Sequence, residues 1–359
     1  MSLAHWIRRF FAKDNAAVPY RTTSADNSIV SEQNQDRTHA PSDADWHARY
    51  LAWLLSELPV ASGIPAPSPN LSTLKLRFQQ EELLEQLQEL RRSKFAGQGL
   101  IPRVPAVLPE LFKSLRDENT SSKYLADTIA KDVVLVAEVL QEVNSSYYNP
   151  TSKINNLESA VMLLGQNGLR MLLAKVSFRP IIQVQTGTLT KLLAPVIWEQ
   201  SELCANAARL FAIEHGKDPF PAFLAGLLQN VGLIVALRIT DRSGRQQALP
   251  NDAWFHARLL SEAHILSGMI GQYWGFPDQV ITAITDQTGD QHNTSTDQQT
   301  NSLGKLLRDA DELSQICLLQ KSGIVEDDDD RISESLSVSA KRCLRALKKR
   351  SAANTPVDF

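Results

Sequence analysis

Cysteine is scarce in this chain of 359 residues: Cys204, Cys317 and Cys343 lie far apart and form no CxxC pair. Neither a zinc knuckle nor a disulfide framework is suggested, and a reducing cytosol fits best. An excess of positive charge is also missing. Lys and Arg number 37 against 40 Asp and Glu, for a net charge of −3, so no global basic field draws the protein onto nucleic acid by neutralising phosphates. No uninterrupted apolar run approaches the ~18 residues of a membrane span. The opening MSLAHWIRRFFAKD is basic and aromatic but lacks the apolar core of about 7–15 residues that a secretory signal needs. Its Trp6, Ile7, Phe10 and Phe11 would make a weak surface anchor, and a docked or frayed terminal helix is the better reading. There is no Gly-rich phosphate loop and no internal repeat. His5, His39, His47, His215, His256 and His292 form no i,i+4 pair. The acidic run Asp327–Asp330 lacks the Gly turn and spaced ligands of an EF-hand, so it reads as a solvated loop.

What is present is enough apolar sequence for a large core. With 43% hydrophobic and 21% charged residues, one large domain with extensions, or two domains, is expected. Residues 1–42 are mostly polar and read as disordered. Residues 43–95 read as a helical extension: DADWHARYLAWLLSELP is a short amphipathic helix ended before Pro59, and Leu76, Leu83, Leu87 and Leu90 form one stripe of a second helix. That second helix is too short for a stable coiled coil, so packing on its own domain is expected.

From 97 to 290 short helices follow one another. Val104, Val107, Leu108, Leu111, Phe112 and Leu115 repeat at helical spacing. Asp132 and Asn156 are candidate caps, LESAVMLLG stops at Gly165, Asp218–Pro219 starts the helix through FLAGLLQNVG, and Pro277 ends a long helix. Only PIIQVQT, at 180–186, has strand-like content, which cannot build a sheet, so the fold is expected to be all-α. Residues 291–359 form a helical C-terminal extension, with helices near 302–320 and 332–349 separated by the acidic loop. Its basic end, KRCLRALKKR, suits a helix C-terminus better than a nucleic-acid site.

FLAGLLQNVG poses a physical problem. Asn230 shares a helical stripe with Phe223, Leu227, Val231 and Ile234, and Gln229 shares another with Ala222, Ala225, Gly226 and Leu233. A helix apolar all round is buried, so at least one amide lies inside and needs partners, because an unpaired buried amide costs roughly 1–3 kcal/mol. Gln200 interrupts the apolar stripe of Leu193, Val196, Ile197, Leu203, Cys204 and Ala207. His264 lies on a third helix, near Gly268 and Gly271, which allow close backbone approach. Four polar side chains on apolar helices could therefore converge.

Several separated segments resemble the HDOD domain, the regulatory relative of the HD metal-dependent phosphohydrolases: IPRVPAVLPELFKSL, KDVVLVAEVLQEVNSSYYNP, INNLESAVMLLGQNGLRMLL, IWEQSELCANAARLFA, FLAGLLQNVGLIV and HILSGMIGQYWGFPDQVITAI. The resemblance covers about half the chain and includes Asn144, Ser145, Leu164, Gly165, Trp198, Gly268, Trp274 and Pro277. It implies that Gln229 and Asn230 stand where catalytic relatives carry the His-Asp pair. It also implies that Gln200 replaces an upstream His, and that Asp286, Gln287 and Thr288 fall where many relatives have a His-His pair. Only His264 retains a ligand type. A neutral amide is a poor donor for a transition metal, and without the metal no water is activated for phosphoester attack.

The resemblance thus implies a bacterial, cytoplasmic, non-catalytic signalling or regulatory protein without cofactor or metal, acting through an unidentified protein partner. No nucleic acid and no transmembrane segment are expected, and the oligomeric state is open. Gln229, Asn230 and His264 are expected to be structural. Ser145 and Ser146 are expected at a helix end, as capping or turn groups. The competing readings are a metal-dependent phosphohydrolase with an atypical site around His264, Asp286 and Asp290, and a nucleotide sensor using the remnant cavity.

Overall fold

The computed structural model describes residues 45–68, 73–94, 100, 121–130, 133–145, 148, 150–182, 187–244, 247–288 and 302–353. The amphipathic stretch 104–115, Asp132 and Asp290 lie outside the described residues. Among the described residues every regular element is helical. In chain order these are α1 (Trp46–Ala52), a π-helical stretch (Trp53–Glu57), α2 (Leu58–Ala61), α3 (Thr73–Arg92), α4 (Ser122–Ala130), α5 (Val133–Val143), α6 (Leu157–Ile182) and α7 (Thr188–Glu214). They continue with α8 (Pro219–Leu228), α9 (Val231–Arg242), α10 (Ala253–Tyr273), α11 (Asp278–Thr285), a 3-10 turn (Asp286–Thr288), α12 (Leu303–Lys321), α13 (Asp330–Ser335) and α14 (Val338–Ala353).

Local chemistry sets many of these boundaries. The Asp218 carboxylate accepts from Phe220 N at 2.9 Å and Pro219 follows at the first helical position, where its missing N–H leaves no orphan. Asn156 Oδ1 accepts from Ser159 N at 2.8 Å. Gly165 adopts φ 64°, ψ 179° and breaks α6 into two segments, a conformation that only glycine takes without strain. Pro277 caps α11 after α10 has ended at Tyr273.

Two sequence expectations are corrected here. The first helix passes through Pro59 instead of ending before it, because the π-helical stretch changes the hydrogen-bond register. Leu58 N donates to Trp53 O, so the donor that Pro59 lacks falls where the ladder already shifts. Pro180, Ile181 and Ile182, the start of the strand-like PIIQVQT, close α6 as helix.

The core centres on α7, α8, α9 and α10, with α12 lying along α7. Backbones approach closely where side chains are smallest. A Cβ on Gly226 would stand 2.5 Å from Ala205 Cα, so glycine there lets α8 sit directly on α7. The segment Pro219–Arg242 is long and apolar enough to cross a membrane by composition, yet it is wholly buried between these neighbours. Lys175 of α6 reaches Glu142 of α5 and Glu202 of α7, the latter at 3.2 Å, and ties three helices together.

Both extensions pack on this core. Leu83, Leu84, Leu87 and Leu90 bury the inner face of α3. Gln80 donates to Asp252 at 3.2 Å, Gln88 donates to Glu262 at 2.9 Å, and Arg91 pairs with Glu262. Removing the Arg91 partner leaves a nearly buried carboxylate. Arg91→Ala is therefore expected to cost about 2–4 kcal/mol in urea unfolding. The extensions also meet each other, since α1 packs on α12 and Trp46 Nε1 lies 3.4 Å from Ser335 Oγ.

Candidate functional site

The two amides do not lie within one helix. Gln229 ends α8 and Asn230, at φ −94°, ψ 4°, starts α9, so the pair forms a two-residue break between helices. A break in a buried helix frees backbone groups that need partners. Ser267 of α10 supplies them, its hydroxyl donating to the Gln229 carbonyl at 2.6 Å and accepting from Gly232 N at 2.8 Å. Gly232 permits this approach: a Cβ there would stand 2.0 Å from the Ala263 carbonyl oxygen. Gly232→Ala must push α9 off α10 and is expected to destabilise by about 1–3 kcal/mol, read as a lowered urea midpoint.

The break turns both amides inward. Gln229 is 0% exposed and Asn230 5%, which satisfies the demand that the apolar stripes raised. Gln200, on α7, is buried beside them. The feature that completes the cluster comes from the C-terminal extension. Asp311, on α12, places its carboxylate among the amides. Oδ1 accepts from Gln229 Nε2 at 2.6 Å and from Gln200 Nε2, and Oδ2 accepts from Gln315 Nε2 at 2.6 Å. Around this centre, Asn230 Nδ2 donates to Gln200 Oε1 and, at 3.0 Å, to Ser201 Oγ. Gln287 Nε2 donates to Gln229 Oε1 at 3.1 Å, and Gln200 Nε2 also reaches Ser314 Oγ at 3.0 Å. The N-terminal extension closes the outer side, with His47 Nδ1 at 3.0 Å from Gln315 Oε1 and 3.9 Å from Asp311 Oδ2.

The electrostatics follow from burial. Burial pushes the Asp311 carboxyl above the ordinary aspartate range, while His47 and the Gln200 and Gln229 amides pull it back. The Cys204 thiol, one turn beyond Gln200, is raised well above its usual value by burial and by Asp311. The Tyr50 phenol is raised by the same two causes. His264 is buried on α10, and burial together with the nearby His47 lowers it to about 3. It is therefore neutral at physiological pH.

The other sequence-predicted positions divide clearly. Gln200, Gln229, Asn230 and Gln287 are brought into one hydrogen-bonded cluster. Asp286 is half-buried and packs beneath α12, where a Cβ on Gly304 would stand 2.8 Å from its Cβ. It takes no part in the bonds around Asp311. Asn144 clamps the chain after α5, donating to Leu140 O and Ile154 O at 2.7 Å each and accepting from Ile154 N at 2.8 Å. Ser145 lies at the end of α5, where its carbonyl accepts from Tyr148 N at 3.2 Å; among the described residues its hydroxyl has no partner, and Ser146 lies outside them. Leu164 and Gly165 mark the kink in α6, and Trp198 is buried on α7. Trp274 stacks on Phe178 with ring centroids 5.9 Å apart. Gly268 faces Thr285, whose methyl would lie 2.5 Å from an added Cβ.

Asp311, Gln315 and His47 were not singled out from the sequence. A signal did exist for the first two: Leu307, Asp311, Ser314, Gln315 and Leu318 share the inner face of α12, so polar groups interrupt an apolar stripe as Gln200 does on α7. Among the described residues no group of three His, Cys, Asp or Glu side chains could hold a metal ion. The donor chemistry is equally unsuited, because the amides direct N–H groups, not oxygens, at the centre of the cluster. The residues present do not fit a catalytic metal.

Polar side chains from α7, the α8–α9 break, the 3-10 turn and α12 thus meet at one interior point of an all-helical domain. The HDOD domain family model matches residues 101–289, and the chain belongs to that family. A solved HDOD domain protein of unknown function from Geobacter sulfurreducens matches with TM-score 0.54 at 19% identity, over 76% of this chain and 98% of that one. A candidate phosphohydrolase from Shewanella amazonensis matches with TM-score 0.52 at 19% identity, over 76% and 94%. A candidate signal transduction protein from Marinobacter aquaeolei gives TM-score 0.52 at 20% identity, over 80% and 66%. In sequence, an uncharacterized protein of Treponema pallidum is 24% identical over 194 residues, 51% of this chain and 37% of that protein. The match thus spans little more than a third of that relative.

Proposed function

We propose that this protein is a non-catalytic signalling or regulatory protein of the bacterial cytoplasm, acting through contacts of its HDOD domain with a protein partner. HDOD membership and likeness to a candidate signal transduction protein fit a signalling role. The observation that carries the non-catalytic reading is the inward direction of the amide N–H groups of Gln200 and Gln229 onto the Asp311 carboxylate. A centre built of donors attracts an anion and repels a divalent cation. His264, neutral and enclosed, adds one imidazole, too few to hold a catalytic metal.

The test is elemental analysis of the purified full chain alongside a phosphodiesterase assay. The expected result is no stoichiometric Mn, Fe or Zn and no turnover that added metal increases. Stoichiometric metal together with turnover would install the phosphohydrolase reading instead. The nucleotide-sensor alternative needs the space that Asp311 fills; it predicts thermal stabilisation by a nucleotide that disappears in Gln229→Leu.

A further inference from the structure

We infer that the ancestral cation site has been converted into a carboxylate-binding site, and that its resident ligand is Asp311, carried in by the C-terminal extension. The inference rests on the non-catalytic reading of this site and names its ligand. Three amide N–H groups from three places in the chain, Gln200 on α7, Gln229 at the α8–α9 break and Gln315 on α12, converge on one carboxylate. An ionised carboxylate only accepts, so each amide must turn its nitrogen toward it. That orientation propagates outward: Gln200 Oε1 is left to accept from Asn230, and Gln229 Oε1 to accept from Gln287. The HDOD-matched span ends at residue 289, so the occupant comes from outside it and fastens α12 across α7. Asp311 is 5% exposed, and such a buried acid persists only with this set of donors. The same site therefore holds both extensions in register, with α12 through Asp311 and α1 through His47.

Chemical rescue separates a carboxylate site from a remnant cation site. Asp311→Ala removes the carboxylate and leaves a space lined by amide donors that formate can enter. In the full chain, Asp311→Ala is expected to lower Tm by roughly 5–10 °C. Formate at tens of millimolar should return at least half of that shift, by binding only the folded state, while leaving the wild-type Tm unchanged. Chloride at equal ionic strength and MnCl2 should return none. An unchanged Tm in Asp311→Ala, rescue by MnCl2 instead of formate, or equal rescue by chloride overturns the inference. Should Asp311→Ala not fold, hydrogen exchange of Asp311→Asn is measured across 303–321. At least tenfold faster exchange supports the fastening role, and unchanged exchange overturns it. Bound metal with turnover in the wild type would remove the non-catalytic reading; failed rescue in a metal-free, inactive protein would remove the carboxylate site alone.

Discussion

Replacing Asn230 by aspartate is expected to destabilise this protein by on the order of 3–5 kcal/mol. The new carboxylate would face a second buried acid, Asp311. The Asn230 amide donates to Gln200 Oε1 and Ser201 Oγ, whereas an aspartate there only accepts. Gln200 would need to present N–H groups to acids on both sides, and its side chain has one nitrogen and one oxygen at its tip. One carboxylate is then left without donors in a buried site. Urea unfolding at pH 7.5 measures the loss. The double variant Asn230→Asp/Asp311→Asn removes one of the two acids and is expected to recover at least half of it, a coupling that a double-mutant cycle reports directly. A cost below about 1 kcal/mol for the single change would show that no buried charge occupies the cluster.

Acidification from pH 6.5 toward 4.5 is expected to remove roughly 2–3 kcal/mol of stability through His264 alone. The folded-state value of about 3 lies below the ordinary 6.5. The stabilisation is fully present above pH 6.5, where the imidazole is neutral in both states. It is lost as pH falls through the window between 6.5 and 3, because only the unfolded chain takes up the proton. Burial is the main cause and His47, on α1, adds to it. The lowered His256 acts in the same direction.

Four carboxyls act oppositely. Asp311, Glu312, Glu202 and Asp286 are raised, so the folded state binds their protons first and they resist acid loss over the range just above the ordinary carboxylate values. Comparing wild type with His264→Leu isolates the histidine. The difference between urea stabilities at pH 7.5 and 4.5 should shrink by roughly 2–3 kcal/mol in the variant. Equal differences in the two proteins would show that His264 titrates normally and is not enclosed.

Much of the fold was legible in the sequence because its signals are local. Asp218–Pro219, Asn156 and Gly165 each fix a boundary through the dihedral angles or hydrogen bonds of their own neighbours. Pro277, expected to end the long helix, instead stands at the start of α11, and α10 ends earlier, at Tyr273 before Gly275 at φ 74°. Apolar periodicity predicted helices near 302–320 and 332–349; α12 matches the first, whereas the second is broken at the extended Leu336 into α13 and α14. Pro59 misled for an equally local reason: a proline stops a regular α-helix, but a π-helical stretch beside it depends on packing that no short window contains. The continuous helix expected through FLAGLLQNVG fails because Ser267, from α10, satisfies the backbone groups that the break exposes.

By itself the sequence determined that buried amides must exist: Gln200, Gln229 and Asn230 interrupt apolar stripes, and desolvated amides demand partners wherever the stripes end up. It also determined the family, through motifs spread over half the chain. Only the tertiary structure decided which partner they find. Asp311 is 82 residues from Gln229 and 111 from Gln200, and nothing in the local chemistry of either end names the other. Hydrogen bonds specify direction at a few ångströms, whereas the placement of α12 along α7 is set by the burial of whole apolar faces, which is non-directional and sums over the entire core.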